Sequence, residues 1–135
     1  MTFVLDCSVV LAWILPDESR QTVMTILERL ESEDAVVPEV WPLEVANALL
    51  IARRRRRITE KDVARALEDL AALPIQVDQE THRQALQAAL SLANKYRLSS
   101  YDAAYLELAR RTRLPLATLD TKLRSACKAA GIELL

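Results

Sequence analysis

The sequence predicts an α/β fold, a three-layer sandwich around a mainly parallel sheet of about five strands. Short apolar, β-branched runs alternate with longer segments of helical periodicity, as strands joined through helical crossovers do. Right-handed crossovers then place helices on both faces of the sheet. No linker, repeat or low-complexity tract interrupts the 135 residues, so a single domain over 1–135 is expected.

Each element has its own signal. "TFVLD" reads as the first strand and "AVV" (35–37) as the second. "PIQV" (74–77), "LPLATL" (114–119) and the terminal "IELL" follow as strands three to five. Between the first two, Val23, Ile26, Leu27 and Leu30 mark a helical stripe. Two helical segments, near 43–56 and 59–73, precede the third strand, the second with a stripe of Val63, Ala66, Leu67 and Leu70. Ala85, Leu86, Ala89, Leu90 and Ala93 form another stripe; Tyr101, Ala104, Tyr105, Leu108 and Ala109 form the last. Pro42 suits a first helical position, and Thr59-x-x-Asp62 and Ser99-x-x-Asp102 have capping-box spacing. Gly131 follows "ACKAA" as a stop.

Composition narrows the function classes. Half the residues are apolar (51%) and 27% are charged, as in ordinary globular domains, and no run is long enough to span a membrane. "FVLDCSVVLAWILP" lacks a basic leader and is broken by Asp6, so a cytoplasmic location is expected. Cys7 and Cys127 form no disulfide framework and are expected as reduced thiols. Net charge is −1, so no global field attracts nucleic acid. A single glycine excludes a P-loop and a dinucleotide fingerprint.

Four acids stand at telling places. Asp6 ends the first strand, and Asp120 ends the fourth and begins the last helix. Glu44 and Asp102 lie in the first turns of their helices. In a parallel sheet the strands' C-terminal ends share one edge, where such folds bind ligands. A helix dipole alone favours an acid in its first turn by about 0.3–1 kcal/mol, so each has a structural reading too. Glu18, Asp62 and Glu80 also fit helix starts and are assigned no function. Asp6 and Asp120 differ because strongly apolar strands aim them at the sheet edge. Two carboxylates about 4 Å apart repel by roughly 4 kcal/mol at an effective dielectric of 20. A pocket holding several must protonate them or take a cation. Oxygen-only ligands point to Mg²⁺ or Mn²⁺, and such a site suits phosphodiester hydrolysis.

The ordered set "FVLDCSVVLAWIL", "PEVWPLEVANALL", "LSSYDAAYLELA" and "LPLATLDTKLRSACKAAGIELL" resembles the PIN-domain family, in particular the VapC-type toxins of bacterial toxin–antitoxin pairs. The resemblance covers nearly the whole chain. It implies a Mg²⁺- or Mn²⁺-dependent endoribonuclease with Asp6, Glu44, Asp102 and Asp120 as catalytic and metal-binding acids. Ser8, Asn47 and Thr118 match the family's polar companions, which support the acids and metal-bound water. Hydrolysis by a metal-activated water would leave a 5′-phosphate and a 3′-hydroxyl. A cognate antitoxin and a homodimer are the implied partners beside RNA, with Trp13, Ile14, Leu15 and Trp41 as candidate apolar surface. A metal-independent ribonuclease would need histidines, and the chain has only His82, expected on the apolar side of its helix in a structural role.

Arg53, Arg54, Arg55, Arg56 and Arg57 close one helix. Three readings fit them: a solvated, dipole-favoured helix end, RNA phosphate contacts or a partner site. Rival functions fit less well. A receiver-like signalling domain needs paired acids after the first strand and a late lysine; only Asp78, after the third strand, speaks for it. A haloacid-dehalogenase-type phosphatase needs D-x-D where Asp6-Cys7-Ser8 stands, and a low-molecular-weight tyrosine phosphatase needs arginine where Trp13 stands. A catalytically silent PIN-like module binding RNA or protein is the remaining alternative.

Overall fold

A computed structural model describes residues 2–15 and 20–135. The order is β1 (Phe3–Leu5), α1 (Cys7–Ile14), α2 (Arg20–Arg29), β2 (Ala35–Val37), α3 (Trp41–Arg54), α4 (Glu60–Ala71) and β3 (Ile75–Val77). Then come α5 (Thr81–Gln84), a π-helical turn (Ala85–Ala89), α6 (Leu90–Tyr96), α7 (Ser100–Thr112), β4 (Leu116–Ala117) and α8 (Thr121–Ala130). Glu18 lies outside the described residues.

The four strands are parallel, in the order β3-β2-β1-β4. Successive strand residues point to opposite faces, yet Phe3, Val4, Leu5, Ala35, Val36 and Val37 are all buried. Both faces of the central strands are therefore covered, as a sheet between helical layers requires. Helix α7 packs on β1 and β4 and is itself flanked by α6 and α8, while α1 packs on α2 and α3.

The expected fifth strand is reduced to one bridge, Leu116 to Leu134. β4 has only two ladder residues before Thr118–Asp120 turn away, so the C-terminal segment has little to pair with. The Val23/Ile26/Leu27/Leu30 stripe is buried as its spacing predicts. Of the α4 stripe, Ala66 is buried and Leu67 is exposed.

The Ala85–Ala93 stripe is corrected further. Leu86 is 84% exposed, Ala85 and Leu90 also face solvent, and the buried side chains are Ala89, Leu92 and Ala93. The π turn inserts an extra residue into the helical repeat, which rotates the buried face relative to an ideal α-helix. His82 is accordingly exposed, with Nδ1 3.0 Å from Glu39 Oε1, rather than packed on an apolar face. In α7 every residue from Ala103 to Ala109 is buried, while Tyr101 is exposed.

Helix ends follow their side chains. Thr59 and Asp62 form a complete capping box at α4, and Ser99 Oγ accepts the Asp102 N–H at α7. Gly131 ends α8 at φ 73°, and Arg97 and Arg113 occupy the same left-handed position after α6 and α7.

Candidate active site

The site is built around the end of β1. The Asp6 N–H donates to the Ala117 carbonyl at 2.9 Å, continuing the β1–β4 ladder one step past the strand. That bond fixes Asp6 beside the residues leaving β4. Its side chain, 3% exposed, accepts hydrogen bonds from Ser8 Oγ and Thr118 Oγ1, each 2.6 Å from Oδ2. Ser8 Oγ accepts the Leu119 N–H at 3.0 Å and Thr118 Oγ1 accepts the Asp120 N–H at 3.1 Å. Two hydroxyls thus join the loop after β1 to the loop after β4. Arg124 secures the second loop from α8, donating from Nη1 to the Thr118 carbonyl at 2.9 Å.

The other three acids enter from helix starts. Asp120 caps α8, with Oδ2 accepting the Leu123 N–H at 2.8 Å. Glu44, in the first turn of α3, accepts a 2.6 Å hydrogen bond at Oε1 from the hydroxyl of Tyr105. Asp102 occupies the first turn of α7. Tyr105 is fully buried and was placed by the sequence only on a core stripe. Its signal is its spacing, one helical turn after Asp102, combined with the need of a buried phenol for a polar partner.

Electrostatics join the acids. Burial pushes the Asp6 carboxyl above the usual aspartate range; the Ser8 and Thr118 hydrogen bonds oppose this, and Asp120 adds to it. Burial also raises Glu44, where the Tyr105 bond pulls down while Asp6 and Asp102 push up. Asp102 is raised by burial, then by Asp120 and Asp6, with Lys122 a smaller opposing influence. The raised values mean that full ionisation is opposed. Cys7 lies within the same field, and burial, Asp6 and Glu44 push its thiol up, so it is neutral.

Among the described residues, no three His, Cys, Asp or Glu side chains are arranged so as to hold a metal ion. The four acids share one field without being drawn into a closed cage. The donors are all oxygens and carry excess negative charge, which suits a hard divalent cation that keeps much of its water.

The remaining candidates fall elsewhere. Asn47 is exposed, one turn beyond Glu44, and makes no side-chain hydrogen bond among the described residues. Arg53 reaches Glu60 at 3.4 Å, and Arg54, Arg55, Arg56 and Arg57 are exposed. At the ordinary helical rise, Arg54 lies about 15 Å along the axis from Glu44. Trp41 is buried and Trp13, Ile14 and Leu15 are half-buried; the prominent exposed apolar side chains are Leu43, Leu67, Leu86 and Leu90. Asp78 is held by Arg111, at 3.1 Å from Nη1 and 2.7 Å from Nη2, while Arg111 Nε also reaches the buried Glu107 at 2.9 Å. Burial opposes its charge, but Arg111 and Thr81 outweigh that and hold its carboxyl below the usual range.

Comparison with known proteins gives a consistent picture. The PIN domain family model matches residues 3–129. A curated relative, Ribonuclease VapC3 of Pyrobaculum aerophilum, is 28% identical over 123 residues, covering 91% of this chain and 92% of its own. Among solved structures, PAE2754 from Pyrobaculum aerophilum aligns with a TM-score of 0.68 and 21% identity, over 93% of this chain and 86% of that one. FitAcB from Neisseria gonorrhoeae aligns at 0.67 and 19%, over 99% and 96%. A toxin–antitoxin complex from Klebsiella pneumoniae aligns at 0.61 and 19%, over 90% and 88%. At those identities the three structures speak for the fold. With the family model spanning nearly its full length, the chain belongs to the PIN-domain family.

Proposed function

We propose that this chain is a divalent-metal-dependent endoribonuclease and the toxin of a toxin–antitoxin pair. The observation that carries the chemistry is the hydrogen-bonded junction in which Ser8 and Thr118 tie Asp6 to the loop bearing Asp120, with Glu44 and Asp102 entering from helix starts. Full-length similarity to Ribonuclease VapC3 supports RNA as substrate, and the likeness to a toxin–antitoxin complex supports an antitoxin partner.

Asp6, Glu44, Asp102 and Asp120 would hold Mg²⁺ or Mn²⁺, which when bound would lower the pKa of water and neutralise charge on phosphate oxygens. Ser8 and Thr118 hold Asp6 in one orientation by sharing its Oδ2. The bond from the Leu123 N–H to Oδ2 does the same for Asp120. Such pre-set ligands reduce the reorganisation needed when charge develops on the phosphate. Hydrolysis breaks the P–O3′ bond and leaves a 5′-phosphate and a 3′-hydroxyl. Asn47 has a surface position from which it would meet substrate rather than brace an acid. The arginines 53–57 lie at the far end of α3 and in the residues after it, away from Glu44, and serve flanking RNA or a partner. Self-association would use exposed apolar residues such as Leu43, Leu86 and Leu90. Among the described residues no helix is long and apolar enough to cross a membrane, in keeping with an RNA substrate met in the cytoplasm.

The test is digestion of end-labelled RNA by the purified chain with Mg²⁺, with excess EDTA, and by Asp6→Asn and Asp120→Asn. Cleavage that disappears with EDTA and falls at least a hundredfold in both variants, while they remain folded, is expected. Cleavage persisting in EDTA refutes the metal-dependent reading. No cleavage of any RNA by the wild type leaves the silent binding module in its place.

A further inference from the structure

We propose that the hollow between α6 and α8, lined by Tyr96, Arg97, Lys122 and Ser125, is a subsite for one nucleotide of single-stranded RNA beside the bond that is cut. The inference rests on the RNA-cleaving reading above and deepens it, since it says where the strand next to the acids lies.

The hollow follows from how the helices pack. α6 and α8 flank α7 and leave a space of about 520 Å³ between them. Lys122, Ser125, Ala126 and Ala129 share one stripe of α8, spaced three and four residues apart. Two of the four are alanines, so that face has no bulk with which to fill the space before Tyr96. The volume falls within the roughly 300–1,000 Å³ of small-ligand sites.

Its lining suits a nucleotide. The two charged side chains there, Arg97 and Lys122, are both cationic and exposed. Tyr96 is half-buried and forms part of the wall, and Lys95 Nζ lies 5.4 Å from its ring centroid. An aromatic ring beside cations is the combination that takes the base and phosphate of a single strand, whatever the base. Thr121 and Ser125 add hydroxyls for sugar or phosphate oxygens. By contrast, the hollow between α1 and α4, about 550 Å³, sets Arg57 and Arg65 against Asp62 and Asp69 and offers a polyanion no net attraction.

Position ties the hollow to the acids. Arg97 follows α6 and stands two residues before Ser99, whose Oγ accepts the Asp102 N–H. Lys122 stands two residues after Asp120, in the first turn of α8. Each wall thus leads directly into an acid of the candidate site. Lys122 is also close enough to Asp102 to favour its carboxylate form. RNA approaching four acids is repelled, and cations at this border offset that repulsion.

The experiment measures binding of a fluorescent single-stranded RNA of mixed sequence to the full chain in EDTA, where no cleavage is expected, over a series of KCl concentrations. Arg97→Gln and Lys122→Gln should each weaken binding and flatten the slope of log affinity against log salt by about 0.7. Tyr96→Leu should weaken binding by about 5- to 150-fold, the range of a lost base stack, with the slope unchanged. Tyr96→Phe keeps the ring and should bind as the wild type does. Arg65→Gln, in the hollow of balanced charge, should leave the slope unaltered. Wild-type binding that Arg97→Gln and Lys122→Gln do not change overturns the subsite while leaving the cleavage reading standing. Equal flattening by Arg65→Gln would reveal diffuse attraction and overturns it as well. A wild type that binds no RNA removes the RNA reading and the subsite together. Should Tyr96→Leu not fold, cross-linking of 4-thiouridine RNA to the wild type decides: attachment at Tyr96 is expected, and attachment confined to other elements refutes the assignment. An oligoglutamate peptide that binds more tightly than the RNA, and loses affinity in Arg97→Gln, would assign the hollow to an acidic protein segment instead.

Discussion

Asp6 occupies a position that disfavours its own charge and is nevertheless the hub of the site. Its carboxyl is raised mainly by burial, so between the ordinary aspartate value of 3.8 and the raised value the folded chain binds more protons than the unfolded one. Stability then falls as pH rises through that window, because unfolding is favoured wherever the folded state must be deprotonated against its preference. Asp6→Asn removes the penalty. In the absence of metal, its melting temperature should exceed that of the wild type by a margin that grows as pH rises from 3.8 through the raised value and is constant above it. A margin independent of pH would contradict the raised carboxyl. Thr118→Val tests the opposite side of the same contact. It preserves shape and deletes a buried hydroxyl that donates to Asp6 and accepts from Asp120. A loss of about 1–3 kcal/mol in denaturant unfolding is expected. Asp6 stood out in the sequence because strand ends are legible, and Thr118 only through the family resemblance, whereas Tyr105 did not, since its partner is distant in sequence.

Elements repeat the lesson that local patterns carry local structure. The Thr59/Asp62 capping box was readable because all its atoms belong to four consecutive residues. The π turn at Ala85–Ala89 was not, because its register depends on how the helix packs against α7. Across that turn Leu86 and Leu90 face solvent, and ahead of it His82 meets Glu39. Scarcity of glycine has a consequence too. Only Gly131 takes its left-handed C-terminal position without penalty; Arg97 and Arg113 take theirs at φ 55° and 57°. Arg113→Gly should therefore stabilise the chain by about 0.5–1 kcal/mol, and Gly131→Ala should destabilise it by about 1 kcal/mol, in urea unfolding. Equal stability for both variants and the wild type would show that backbone strain at these caps is negligible.

For the molecule as a whole, the strand order β3-β2-β1-β4 explains why distant acids meet. β1 and β4 are neighbours, so the loops carrying Asp6 and Asp120 emerge side by side, and the Tyr105–Glu44 hydrogen bond joins the second turn of α7 to the first turn of α3. For Asp6 and Asp120 this was legible from strand ends, since parallel strands finish at one edge, and for Glu44 and Asp102 from helix starts. The extent of the sheet was not, because the final segment makes a single bridge. Gathering like charges costs stability that a bound cation returns. Mg²⁺ at a hundred times its dissociation constant should add about 2.7 kcal/mol to unfolding free energy, and the gain should vanish in Asp6→Asn. An identical gain in the variant would place the ion elsewhere.

The most direct test of a single shared ion site is anomalous diffraction from crystals soaked in Mn²⁺. The account predicts one or two adjacent peaks bordered by Asp6, Glu44, Asp102 and Asp120. Manganese bound only at other positions, with these four acids bare, would contradict it.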